Sequence, residues 1–173
     1  MNNLKIKKIG ISEISQLQKI SKETFIETFD AYNTAEDMQE YLTTNLSTER
    51  LSKELQNPNS EFYFAKLGES SIGYLKLNMA QAQTEPQEKK ALEIERIYVL
   101  KAFHGIKAGQ ALLNKALEKA HSINAEILWL AVWEMNKNAI SFYKKNKFED
   151  FGTHIFQLGK DAQTDILMKF DLI

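Results

Sequence analysis

The chain has 173 residues, enough for one domain at roughly 100–200 residues each and too few for two. Its 43% hydrophobic and 26% charged residues exclude a disordered chain, a collagen and a coiled coil. A balance of 22 basic and 23 acidic residues leaves no cationic field for nucleic acid, and zero cysteines exclude disulfides, a thiol nucleophile and zinc sites with thiolate ligands. The opening MNNLKIKKIG lacks an apolar run of signal-peptide length, and no apolar stretch of about 18 residues occurs, so a cytoplasmic protein that does not engage membranes is expected.

Leu4, Ile6 and Ile9 predict a short first strand. From Ser12 the apolar positions Ile14, Leu17, Ile20 and Phe25 recur at three and four, which predicts a helix to about Phe29 with Ser12 capping its first turn. Thr34 opens a second helix (Met38, Tyr41, Leu42), and Ser47 a third (Leu51, Leu55) that Pro58 stops. Phe62 and Phe64 alternate with Tyr63 and Ala65, and after a turn at 68–71 the run IGYLKLNM alternates again, which predicts a hairpin. Residues 80–90, polar and with Pro86, read as a loop. Then come a strand in ALEIERIYVL, a helix over about 109–122, a strand in EILWLAVW, a helix capped by Asn136, and strands near 148–158 and 164–170. A strand–helix–strand unit inside an otherwise antiparallel sheet makes this one mixed α/β domain.

Between Glu95 and Glu118 there is no Asp or Glu, while Arg96, Lys101, Lys107 and Lys115 lie there with His104, so an anion is expected to meet no carboxylate. The loop HGIKAG runs from His104 through Gly105, Ile106, Lys107 and Ala108 to Gly109 at a helix start, where unpaired N–H groups and the helix dipole favour phosphate. Gly105, Ala108 and Gly109 let backbone come close to a ligand. The loop fits neither the Walker pattern nor GxGxxG, so ATP and NAD are not expected. A plain strand-to-helix connection is the alternative reading.

The next passage, AVWEMNKNAISFYKKNKF, places Asn138 and Tyr143 on the following helix, at the same end of the sheet as that loop. Taken together, ERIYV, the loop before GQALLNKAL, and NAISFYKKNKF resemble the GNAT superfamily of N-acetyltransferases over nearly the whole chain. The strings ETFIETFD, LEIERIYV, LLNKALEKA, VWEMNKNAISFYKK and QTD, in that order, resemble its PaiA-type polyamine N-acetyltransferases. The resemblance implies a single mixed sheet of about seven strands, splayed at its centre and flanked by helices. It implies acetyl-CoA as cosubstrate, no metal, and direct attack by a small-molecule primary amine such as spermidine or spermine, in a monomer or homodimer. A protein or peptide amine is the alternative acceptor, and a non-catalytic CoA-binding regulator the alternative class.

By the same resemblance, the backbone of Ile97, Tyr98 and Val99 holds the pantetheine arm, residues 104–109 with Gln110 hold the pyrophosphate, and Asn138, Tyr143 and Lys145 lie along the coenzyme. The superfamily pattern Gln/Arg-x-x-Gly-x-Gly/Ala falls on residues 104–109 with His104 at its first position and Lys107 at its middle glycine. Asn138 could instead cap its helix, and Lys145 could serve only the helix dipole.

Glu93 and Glu95 are two apart, so a regular strand projects both from one face, about 6–7 Å apart. An alkyl ammonium is neutral about once in 10³ at pH 7, and only the neutral form attacks a thioester, so a carboxylate acting directly or through water is the expected base. A charged pair on a sheet edge is the plain alternative, and a bulge in this strand would break the common face. Tyr143 resembles the family's tyrosine beside the CoA sulfur, where hydrogen bonding to the developing thiolate serves without complete proton transfer. Three histidines, His104, His121 and His154, show no metal-ligand spacing, and Trp129 with Trp133 reads as core. Glu36, Asp37 and Glu40, with Phe29, Tyr32 and Tyr41, are expected to border the acceptor channel and suit a polycation.

Overall fold

The structure, a computed structural model, describes residues 3–173. Strand β1 (Leu4–Ile9) is followed by three helices, α1 (Ile14–Phe29), α2 (Ala35–Thr44) and α3 (Thr48–Gln56). The hairpin β2 (Ser60–Leu67) and β3 (Ser70–Asn78) leads to β4 (Ala91–Val99), α4 (Ala108–Ser122), β5 (Ile127–Trp133), α5 (Lys137–Lys145), β6 (Glu149–Leu158) and β7 (Asp161–Asp171). Thr34 and Ser47, where the second and third helices were expected to begin, cap them by accepting from the backbone N–H of Asp37 (3.1 Å) and Arg50 (3.2 Å). Ser12 does not: a 3-10 turn over Ile11–Glu13 precedes α1, and Glu13 folds back to accept from Gly10 N–H at 3.2 Å and from Lys7 Nζ at 2.8 Å.

The strands form one seven-stranded sheet in the order β1-β2-β3-β4-β5-β7-β6. Only β4 and β5 run parallel, because α4 carries the chain back over the sheet between them. On one face Leu112, Leu113, Ala116 and Ala120 of α4, with Ile140 of α5, pack on Leu75, Leu77, Leu92, Ile94, Leu128 and Leu130. On the other, Leu17, Ile20, Phe25 and Phe29 of α1, Met38 of α2 and Leu51 of α3 cover Phe62, Phe64, Tyr74 and Trp133. Among the described residues no helix is long and apolar enough to cross a membrane.

The sheet opens at its centre. Residues 91–94 of β4 pair with 127–130 of β5, and beyond Ile94 that pairing stops, while β3 stays paired to β4 as far as Val99. A bulge marks the parting: Leu77 opposes Ile94 and Lys76 opposes Arg96, so Glu95 is the extra residue, and an extra residue bends its strand and increases its twist. Gly73 sits where β3 hugs the far half of β4, since a Cβ there would lie 2.7 Å from the Tyr98 carbonyl oxygen.

Candidate active site

Where β4 leaves β5 a cleft of about 1480 Å³ runs between α1, the start of α4 and α5. Its β4 edge can be read from one bond. Leu100 N–H donates to Ile72 O at 2.9 Å, which makes those two residues a hydrogen-bonded antiparallel pair. Alternation along the ladder then spends the backbone of Tyr98 on Tyr74 and turns that of Ile97 and Val99 toward the gap. Tyr98 therefore departs from the expectation: it meets the cleft with its ring, stacked on Tyr74 at 6.0 Å, and not with its backbone. His104 Nε2 lies 2.8 Å from the Val99 carbonyl, so this ring ties down the strand end at the mouth of the cleft.

Past that point the chain enters α4 through Lys107, which stands in the left-handed region at φ 67° and offers no side-chain cap. A non-glycine residue there costs about 1–2 kcal/mol, which explains why the superfamily pattern has glycine at this position. Ala111 is the first residue to donate to Lys107 O (3.0 Å), leaving the N–H groups of Ala108, Gly109 and Gln110 without intrahelical acceptors beside the cleft. Gly105, at φ 87°, supplies the other left-handed turn and also lines the cleft. Ile106 does not: it packs against the α4-side core. The Gln110 amide is committed, donating at 3.0 Å to both Asn114 and Asn146 and so tying α4 to α5.

Two of the four expected cations leave the loop. Arg96 is buried among carboxylates of the opposite face, and Lys115 pairs with Glu118 and covers the Tyr63 ring. Lys101 and Lys107 remain at the loop's end of the cleft, which Arg96 lines only from among those carboxylates. A carboxylate is present after all, because Glu27 of α1 accepts from Lys101 N–H at 2.9 Å.

On α5 the cap is Asn136, which accepts from Ala139 N–H at 3.2 Å. Asn138 is exposed to the cleft with no side-chain hydrogen bond among the described residues, and Lys145 lines the same wall from the last turn. Tyr143 packs between Phe142 and Phe148, with ring centroids 5.3 and 5.7 Å away. Burial raises its pKa, so the phenol keeps its proton and can donate to an anion.

The bulge does not separate the two glutamates. It falls at Glu95, leaving Glu93 and Glu95 on one face and adding Arg96 to it. Buried Asn78, oriented by the Ser60 hydroxyl at 2.9 Å, donates from Nδ2 to Glu93 Oε2 (3.2 Å) and Glu95 Oε2 (2.6 Å). Their surroundings then diverge. Burial pushes Glu95 up, but Arg96 and Lys76 outweigh it and hold its pKa below the usual range. Lys76 Nζ contacts Glu95 and Glu54, and Arg96 forks onto Glu54 at 2.8 and 3.1 Å. Glu93, only 2% exposed, has its pKa raised by burial, a rise that hydrogen bonds from Thr84 oppose and the charge of Glu95 reinforces. Of the two, Glu93 is the better proton acceptor and Glu95 a neutralised counter-ion.

Phe29, Tyr32 and Tyr41 line the cleft as expected, but Glu36, Asp37 and Glu40 do not. Asp37 accepts instead from Lys160 N–H at 3.1 Å and lies against Gly159, latching α2 to the β6–β7 turn. His154 is not an isolated histidine: it lines the cleft between Asp165 (Nε2 to Oδ2, 3.1 Å) and Glu85. Asn78, Thr84, Lys76 and Glu54 were invisible as site residues, since each reaches β4 from a distant segment and none sits in a motif.

Comparison with known proteins agrees with this geometry. Residues 16–148 match the Acetyltransferase (GNAT) family. An uncharacterized N-acetyltransferase from the pepI 3′ region of Lactobacillus delbrueckii subsp. lactis is 39% identical over 173 residues, covering 100% of both chains. An N-alpha-acetyltransferase of Sulfolobus acidocaldarius is 27% identical, covering 92% of this chain and 89% of that one. Among solved structures, the PaiA N-acetyltransferase from Thermoplasma acidophilum in complex with coenzyme A superposes with a TM-score of 0.79 at 21% identity, over 98% of this chain and 99% of that one, a likeness of fold. With a family match across the helices and strands that build the cleft, this chain belongs to the GNAT family of acetyltransferases.

Proposed function

We propose that the protein transfers the acetyl group of acetyl-CoA to a primary amine of a polyamine such as spermidine or spermine, by direct attack in a ternary complex. The observation that carries the transfer reading is the open edge of β4. Ile97 turns its backbone into the gap and Val99 its N–H, the Val99 carbonyl being held by His104, as a pantetheine arm adding like a strand requires, and the bare N–H groups of residues 108–110 stand at its end for the phosphates. Lys101, Lys107 and Lys145 add charge, and Asn138 and Tyr143 flank the path. In this reading Glu93 takes the amine's proton and Tyr143 donates a hydrogen bond to the departing thiolate.

The polyamine reading rests on charge. Glu54 and Glu95 are balanced by Lys76 and Arg96, which leaves Glu93, Glu85 and Asp165 against His154 alone, a surplus of negative charge around the acceptor end. The aromatic wall of Phe29, Tyr41 and Trp133 favours a second acceptor, a peptide α-amine with an apolar first side chain. Steady-state release of CoA thiol with spermine, spermidine, putrescine, a monoamine, an aminoglycoside and a peptide tests both. KM is expected to fall from the monoamine to spermine and to rise with salt. A peptide kcat/KM far above that of spermidine overturns the polyamine, and absence of amine-dependent thiol release across the panel overturns the enzyme in favour of a CoA-binding regulator.

A further inference from the structure

Glu93 is well placed to hold a proton and poorly placed to fetch one. Its Oε2 accepts from Asn78 Nδ2 and from Thr84 N–H at 2.8 Å, and its Oε1 accepts from the Thr84 hydroxyl. Thr84, in contrast, is exposed and lines the cleft. Its hydroxyl has one proton, already aimed at Glu93, and two lone pairs. The residue is also anchored independently of that hydroxyl: its own N–H bonds Glu93, and its neighbour Gln83 accepts from the buried Trp129 indole at 2.8 Å.

We propose that the Thr84 hydroxyl is a catalytic proton relay carrying the acceptor amine's proton to the buried Glu93 carboxylate. The inference rests on the amine-acetylation reading. An N–H of the ammonium hydrogen-bonds to Thr84 Oγ1. As that N–H bond breaks and an O–H bond forms on Oγ1, the hydroxyl's own proton moves to Glu93 Oε1, so the amine lone pair is released, Thr84 is regenerated as a neutral hydroxyl, and Glu93 becomes a neutral acid. The raised pKa of Glu93 suits that end state. No water chain and no movement of the loop over residues 80–90 is needed, whereas Glu93 lines the cleft with only 2% of its surface exposed and both carboxylate oxygens already accepting hydrogen bonds.

Thr84→Val keeps the shape and the backbone bond and removes the hydroxyl, and with it both the relay and one hydrogen bond to Glu93; Thr84→Ser keeps a hydroxyl. With a primary amine at pH 7, T84V is expected to lose about 10²-fold in kcat/KM for the amine, with unchanged acetyl-CoA affinity, and T84S to stay close to wild type. The T84V deficit should shrink by roughly tenfold per pH unit from pH 7 upward, as free amine replaces ammonium in solution. The other charged groups facing the pair are Glu95 with Lys76 and Arg96, Glu85 in the loop, His154 on β6 and Asp165 on β7; they are common to both proteins and cancel in the ratio of the two profiles, while the lost hydroxyl bond raises the pKa of Glu93 in T84V and so moves its acid limb, apart from the alkaline recovery that reports the relay. A T84V rate equal to wild type, or a deficit constant with pH, overturns the relay while leaving the acetyltransferase standing. A wild-type protein that releases no thiol with any amine overturns both.

Discussion

At the proposed coenzyme end of the cleft, the wall comes from two short stretches of chain, 97–110 and 138–145, and much of it is backbone: two strand residues turned to the gap and one bare helix start. At the acceptor end the wall is side chains drawn from α1, α2, β3, the 80–90 loop, β4, β5, β6 and β7, backed by a continuous polar network from Ser60 through Asn78 to Glu93 and Glu95 and on to Lys76, Arg96 and Glu54 of α3. Backbone tolerates changes of side chain, whereas a buried polar network transmits them. That contrast explains how the pyrophosphate loop can carry Lys107 where its pattern has glycine and still open a regular helix.

The contrast is tested hardest at Glu93. Glu93→Gln should lower kcat by about 10²–10⁴-fold at pH 7 with acetyl-CoA affinity unchanged, as read by thiol release and calorimetry. Wild-type activity should fall on acidification as Glu93 gains its proton, and because its pKa is raised, that limb should lie above the ordinary glutamate value of about 4.3. Glu95→Gln should act differently, leaving Lys76 and Arg96 undercompensated and lowering unfolding free energy by about 3–5 kcal/mol in a denaturant titration. If Glu95→Gln erases the acid limb and Glu93→Gln keeps it, the two roles are exchanged.

Between the two ends, Tyr143→Phe should reduce kcat by about 10²-fold with little change in KM for acetyl-CoA, the pattern of a hydrogen bond made mainly in the transition state. A wild-type kcat would leave Tyr143 as packing. Smallest are the effects at the loop. Lys107→Glu should weaken acetyl-CoA binding by roughly tenfold, more at low salt, while Lys107→Gly should bind within a few-fold of wild type and melt slightly higher, since it relieves about 1 kcal/mol of left-handed strain. A Lys107→Gly protein that loses coenzyme affinity as far as Lys107→Glu would show that this end depends on side chains as well.

The element order, the helix starts at Thr34 and Ser47 and the cap at Asn136 could be read from periodicity and local chemistry, because those are set by neighbours in the chain, whereas the parting of the parallel pair was implied only by the resemblance to a known family. The gap-facing residues Ile97 and Val99 could be named, but the sparing of Tyr98 depends on ladder phase, which a strand's sequence does not carry. The acidic residues of α2 illustrate the opposite failure. Glu36, Asp37 and Glu40 were assigned by charge, and the helix turns Asp37 toward Lys160 and leaves the others facing solvent. Thr84 lies in an aperiodic loop, and only the folded chain brings it to Glu93, nine positions away along an indirect path. His154 looked solitary because its partners, Glu85 and Asp165, are 69 and 11 residues distant.

The central opening also has a mechanical meaning. The sheet consists of a four-strand block, β1 to β4, and a three-strand block, β5, β7 and β6, joined along β4 and β5 by only the pairs from Ala91–Ile127 to Ile94–Leu130. A coenzyme lying in the gap would act as a removable strut, supplying the rungs that the two blocks lack. At a concentration of 100 times Kd, acetyl-CoA bound there would add about 2.7 kcal/mol of cohesion, lowering the population of parted blocks, and with it their cleavage by a protease, about a hundredfold.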